Sequence, residues 1–163
     1  MTLQQALNLR VCGEHEKARE LLARLAAELP DDGLVQYEAA CVHDSLGFES
    51  QAVPFYAAAL AADLPAKLRR SAYTGLGSTY RTLGLYRQAQ DTLERGLMEF
   101  PEANEIRVFL AMACYNLGDS KLAVESLLKL LAVTTNDPEV KAYSQAIDFY
   151  AQDLDRSWPD GAA

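Results

Sequence analysis

The sequence predicts an all-α fold, a solenoid of four helix-turn-helix repeats closed by one further helix, and three observations carry that expectation. Glycines recur at Gly13, Gly47, Gly84 and Gly118, separated by 34, 37 and 34 residues. Alanines five positions further on, Ala18, Ala52, Ala89 and Ala123, keep the same intervals. Around Gly84 the chain has helical spacing on both sides, with Tyr73, Leu76, Gly77 and Tyr80 before it and Ala89, Leu93, Gly96 and Leu97 after it. Side chains three and four apart share a helix face, so each turn glycine separates two helices that pack through a seam of small residues. A glycine inside a helix costs about 1 kcal/mol relative to alanine, and Gly77 and Gly96 therefore mark close approaches between backbones.

Taken in order, the first repeat spans about residues 1–30, with a leading helix from Met1 to Cys12 and a second from Glu14 to Leu29 ended by Pro30. In that leading helix Leu3, Leu7 and Val11 form an apolar stripe beside the Ala6–Leu9 packing face. The stripe is expected to face the groove, where it either folds back on its own second helix or meets another chain. The second repeat covers 34–64, and Pro54 predicts a second helix that starts near Ser50 or kinks, because proline is tolerated in a first turn. The third covers 70–101, and the three residues in excess of the period fall near Pro65–Arg70, read as a lengthened connection. The fourth covers 104–135, with Cys114 in a slot where a tyrosine stands in the third. A closing helix is expected over 138–154, opened by Pro138 behind the cap candidates Asn136 and Asp137. Its stripe of Val140, Tyr143, Ile147, Tyr150, Ala151 and Leu154 covers the open end of the array, and residues 156–163, which include Trp158, form a tail.

The order of Tyr73, Leu76-Gly77, Tyr80, Gly84, Ala89, Leu93, Gly96 and Pro101 resembles the tetratricopeptide repeat. The resemblance spans almost the whole chain and implies a right-handed α-α superhelix, a single domain over 1–155, whose first helices line a concave groove. Carried onto this chain, the groove slots hold Leu34, Tyr37, Cys41, Asp44 and Ser45, then Ser71, Thr74, Ser78, Arg81 and Thr82, then Glu105, Val108, Met112, Tyr115 and Asn116. A binding surface centred on Arg81, with Tyr37, Cys41, Asp44, Thr74, Ser78, Met112, Tyr115 and Asn116, is the expectation. Chaperone-binding members hold a C-terminal carboxylate in a clamp of lysines, asparagines and arginine. Here Glu38, Gly75, Glu105 and Phe109 stand at such places, so chaperone tails are not the expected ligand. In make-up the chain is similar to short free-standing bacterial proteins built only of these repeats.

Composition narrows the function classes. A net charge of −8 argues against nucleic acid, whose phosphates select basic faces, and against anionic membrane. The opening residues lack a basic segment followed by an apolar run, and no stretch approaches the roughly 18 apolar residues of a membrane span; a cytoplasmic location follows as the expectation. Cys12, Cys41 and Cys114 are odd in number and widely spaced, which predicts reduced thiols. Between Lys67 and Arg95 six basic residues stand against two acidic ones, a local +4 that leaves −12 for the remainder. That basic repeat is either neutralised by neighbouring carboxylates or is where an acidic segment docks.

Chemistry-bearing motifs are absent on physical grounds. Gly75-Leu-Gly77 lies inside a helix rather than at an N-terminus, and Tyr80 stands where a phosphate loop needs its third glycine. His15 and His43 have no partners at triad or metal spacing, Cys41 and His43 point about 200° apart round a helix, and His43 occupies a core slot. Asp31-Asp32 falls in a turn. No catalysis, cofactor or metal is expected. The reading is a non-catalytic module that binds a protein or peptide segment and self-associates as a homodimer through Leu3, Leu7 and Val11 or through Tyr143 and Tyr150. The alternative is a ligand-responsive regulatory subunit with a small molecule in the groove.

Overall fold

Four helix hairpins follow one another along the chain, each turned on a glycine. The computed structural model describes residues 2–157. Its helices are α1 Leu3–Val11, α2 His15–Glu28, α3 Gly33–Ser45, α4 Glu49–Ala61, α5 Ala66–Thr82, α6 Tyr86–Glu99, α7 Asn104–Asn116, α8 Ser120–Thr134, α9 Pro138–Ala142 and α10 Ser144–Ala151, and there is no strand among the described residues. Successive helices pack on one another from α1 to α8, α10 packs on α8, and α5 also touches α3 and α7. The architecture is the helical-repeat solenoid that the glycine and alanine periods predict.

The turns explain why glycine recurs. Gly13, Gly47, Gly84 and Gly118 have φ of +78°, +79°, +75° and +91°, a region that costs an L-residue about 1–2 kcal/mol. The next amide in each turn donates back five residues, Glu14 to Leu9, Phe48 to His43, Leu85 to Tyr80 and Asp119 to Cys114, at 2.9–3.0 Å. This double-turn end satisfies carbonyls that a helix terminus leaves unpaired and reverses the chain in the fewest residues.

The seam explains the alanines. Ala18, Ala52 and Ala89 are fully buried and Ala123 nearly so. A Cβ on Gly77 would lie 2.4 Å from Leu93 Cγ, and one on Gly96 would lie 2.9 Å from Tyr73 Cβ and 3.0 Å from Ile106 Cδ1. Helix backbones in repeat three thus approach as the sequence expects. His43 is buried, with Phe55 at 4.9 Å between ring centroids. Its Nδ1 lies 2.7 Å from the Ala39 carbonyl, and because a carbonyl only accepts, Nδ1 carries the hydrogen.

Four expectations are corrected. The residues in excess of the period do not lengthen a connection; they extend α5 to 17 residues, against 13 in α3 and α7. α4 begins at Glu49, beside the expected start at Ser50, but Pro54 then falls in its second turn rather than its first. The closing helix over 138–154 is two helices, broken at Tyr143 (φ −100°, ψ 7°), and Leu154 lies beyond the second. Asp137 caps the first by accepting from the Glu139 and Val140 amides. The expected closing stripe is accordingly not a buried face: Ala151 is buried, whereas Tyr143 and Tyr150 remain 66% and 53% exposed.

The fourth correction concerns α1. Leu3 packs partly against the repeat-one core with Leu9, while Val11 is 88% exposed and lies with Leu7, Arg10, His15 and Glu38 around a shallow depression. Residues four apart drift by about 40° round the helix at each step, so Leu3 turns toward the core while Leu7 and Val11 stay together at the depression. Trp158 and the rest of the tail beyond 157 lie outside the described residues.

The core thins toward the C-terminal end. Repeats two and three and the inner side of α7 share one large cluster around Tyr56, Tyr73, Leu76, Leu93 and Ile106, whereas α7 and α8 of repeat four enclose only a separate small one of Ala111, Cys114 and Ala123 with Leu110. On α8, Leu122, Val124, Leu127, Leu131 and Val133 stay exposed.

Candidate functional site

The face formed by α1, α3, α5 and α7 is held together by side chains that reach from one helix to the next. Arg10 pairs with Glu38 between α1 and α3. Between α3 and α5, the Thr79 hydroxyl lies 3.1 Å from Asp44 Oδ1. Arg70 pairs with Glu105 between α5 and α7 and lies 3.4 Å from Glu102 in the preceding turn. Arg81 Nη1 lies 3.5 Å from Asn116 Oδ1. Helices of neighbouring repeats lie side by side, which is why three of these contacts join residues 35 apart in sequence.

A depression of about 330 Å³ crosses this face, lined by Asp44 of α3, Ser71, Thr74, Gly75 and Ser78 of α5, and Glu105 and Phe109 of α7. The structure therefore brings together Asp44, Thr74 and Ser78 of the predicted groove. Arg81 and Asn116 adjoin it further along α5 and α7, and Met112 and Tyr115 are exposed there. Cys41 and Tyr37, also predicted for the groove, do not line it; both are partly buried against the central core cluster. The Cys41 thiol is pushed up in pKa by burial, and Tyr37 is likewise raised by burial, with the Cys41 thiolate adding to the effect.

Sequence reasoning missed Tyr56. It lies on α4, a second helix assigned wholly to the core, yet its hydroxyl donates to Asp44 Oδ2 at 3.3 Å and lies 3.9 Å from Cys41 Sγ. Gly75 makes room for it, since a Cβ there would fall 2.6 Å from Tyr56 Cζ. A glycine in mid-helix with no turn to serve was the available signal. The Tyr56 hydroxyl is raised in pKa, first by burial and then by the Cys41 and Asp44 charges.

The electrostatics of this face are uneven. Glu105 is held below the usual carboxylate range by its hydrogen bond to Arg70. Asp44 is pushed above that range by burial, against the Thr79 and Tyr56 hydroxyls that favour its charge, and Glu49 adds like charge nearby. Among the described residues no cation lies within 4.0 Å of Asp44, and no carboxylate within 4.0 Å of Arg81. Arg81 Nε is buried with no hydrogen-bond partner among the described residues, a state that costs about 1–3 kcal/mol for a buried polar group. The basic repeat is thus satisfied in part: Arg69 pairs with Glu99 at 2.7 Å, and Arg70 with Glu105.

Elsewhere, a cavity of about 610 Å³ opens between α6, α7 and α8, floored by Leu97, Leu110, Leu130 and Val133. Arg107 there takes the place that Tyr73 fills one repeat earlier, and its guanidinium turns to the Pro101 carbonyl and to Asn104 instead. Cys12, Cys41 and Cys114 are free thiols. No described helix is long and apolar enough to cross a membrane.

Stacked helix hairpins that join into one lined face define a helical-repeat scaffold. The profile of the tetratrico peptide repeat matches residues 33–154, and the chain belongs to the tetratricopeptide repeat family, an interaction scaffold in general character. The match begins at α3, although α1 and α2 form the same glycine-turned hairpin. The crystal structure of MamA is similar, with a TM-score of 0.73 over 93% of this chain and 90% of that one at 16% identity. At that identity the likeness is one of fold. No curated protein matches the chain.

Proposed function

We propose that the protein is a cytoplasmic, non-catalytic module of one domain over 1–155 that holds an extended segment of a partner protein across the face of α3, α5 and α7. The observation that carries this reading is Arg81, a half-buried guanidinium held, among the described residues, only by the Asn116 amide in a face whose other arginines, Arg10 and Arg70, have carboxylates. Extended segments suit such a surface because Ser78 can pair with main-chain groups, Ser71 and Thr74, whose hydroxyls donate to the Lys67 and Arg70 carbonyls, can accept from amides, and exposed apolar residues such as Met112 and Tyr115 anchor side chains.

The test is photo-crosslinking from Ser78 in native extract, with Gln90 of α6 as the position off this face. A partner captured from Ser78, not from Gln90, and lost in Arg81→Glu is the expected result. Retention of every partner by Arg81→Glu removes the assignment. Self-association through Leu3, Leu7 and Val11 or Tyr143 and Tyr150 belongs to the same reading, because Val11, Tyr143 and Tyr150 are large and exposed.

The alternative is a small-molecule-responsive regulatory subunit with its ligand in the groove; a cavity off that face, between α6, α7 and α8, has a volume in the range of ligand pockets and is the better support for such a reading. A thermal-shift screen against metabolites separates the two. A large saturable shift that Leu130→Trp abolishes favours the alternative.

A further inference from the structure

The residue three places before each turn glycine falls at the same point on each first helix: Arg10, Asp44, Arg81 and Tyr115. Read along the face, this row runs cation, anion, cation, aromatic. Arg10 is already paired with Glu38, whereas Asp44 and Arg81 have no counter-ion within 4.0 Å among the described residues. Tyr115 is 65% exposed, with Met112 exposed one turn before it. The row differs from the positions of Glu38, Gly75, Glu105 and Phe109, so its chemistry is independent of a carboxylate clamp.

We propose that this row reads charge order in the bound segment: a basic side chain at Asp44, an acidic one at Arg81 and an apolar one at Tyr115 and Met112. The inference rests on the peptide-binding reading of this face. Complementary charge is the physical reason. Asp44 accepts from the Tyr56 hydroxyl and lies beside the Thr79 hydroxyl, which also reaches the Gly75 carbonyl; both are neutral and leave its charge uncompensated. Among the described residues Arg81 is held only by the Asn116 amide oxygen, at 3.5 Å from Nη1, and a carboxylate takes a guanidinium through two parallel bonds where an amide oxygen takes one. Like charge opposite either residue is repelled, so the reversed sequence is rejected as well as the correct one attracted.

Spacing and direction follow from the helices. Packed helices lie about 8–10 Å apart, and an extended chain advances about 3.3 Å per residue, so adjacent slots are met by residues about three apart. The segment is base-x-x-acid-x-x-apolar, bound with its basic residue toward repeat two and its apolar residue toward repeat four.

Fluorescence anisotropy with labelled synthetic peptides tests this. One carries Lys-x-x-Glu-x-x-Leu between small neutral residues, and a second has Lys and Glu exchanged. The first is expected to bind at least tenfold more tightly at low salt, and the Asp44→Lys/Arg81→Glu protein to invert that order. Because Asp44 accepts buried hydroxyls, Asp44→Asn and Arg81→Gln serve as folded controls, each reducing the preference while circular dichroism stays unchanged. Equal binding of the two peptides, competed by each other and lost in Ser78→Trp, overturns the charge order and leaves the binding face standing. No binding of either peptide at any concentration up to millimolar removes both.

Discussion

The ring of Tyr56 occupies the space that a side chain on residue 75 would need, its Cζ 2.6 Å from the position of a Cβ on Gly75. Through this opening a residue of α4 reaches Asp44 on the face of α3. The relationship couples a helix-interior glycine to the most desolvated carboxylate of the site.

Gly75→Ala is expected to destabilise the protein, although alanine is the better helix former by about 1 kcal/mol. Tyr56 is buried and can yield only by moving its ring or shifting α4 against α5, and overpacking of this kind costs about 1–3 kcal/mol. Urea denaturation measures the difference. A rise in stability would show that the ring swings aside freely and that Gly75 is dispensable.

Ala89→Arg forces a long cation into the seam between α5 and α6, where Ala89 has no exposed surface. The expected loss is about 3 kcal/mol or more, from overpacking and an unpaired charge. Calorimetry reads it as a lowered Tm, by about 2–4 °C per kcal/mol at this chain length. Near-native melting would place Ala89 outside the seam.

Two buried titrating groups bend the pH dependence in opposite senses. Burial raises the Asp44 carboxyl, so between the ordinary carboxylate range and its own value the folded protein keeps a proton that the unfolded chain has released. Stability therefore falls as pH rises through that window, and Asp44→Asn flattens this part of the curve. Burial lowers His43, so as pH falls below the ordinary histidine range the unfolded chain takes the proton first. Stability then falls with falling pH, and the loss is complete below the folded value. Denaturation midpoints between pH 4 and 8, with NMR titration of both side chains, measure the two slopes; a flat profile contradicts them.

Exposed Val11, Tyr143 and Tyr150 predict association between copies. Sedimentation at several concentrations is expected to show a concentration-dependent rise in mass that Val11→Asp or Tyr143→Asp lowers. A monomer at every concentration removes self-association from the reading.

What the sequence by itself determined is the repeat: its period, the turn positions and the alanine seam. Those features are local, because a positive φ selects glycine at one residue and helical spacing is a property of a dozen consecutive ones. The slots of the proposed binding face could be named to the same depth, since Asp44, Arg81 and Tyr115 recur at one offset from their turns. Only the tertiary structure decided how those slots are wired. Tyr56 with Asp44, Thr79 with Asp44 and Arg81 with Asn116 join residues 12, 35 and 35 apart, and such contacts depend on how closely two helices approach. The break at Tyr143 and the extra turn of α5 likewise emerge only in the structure, because periodicity within one helix does not record where that helix stops.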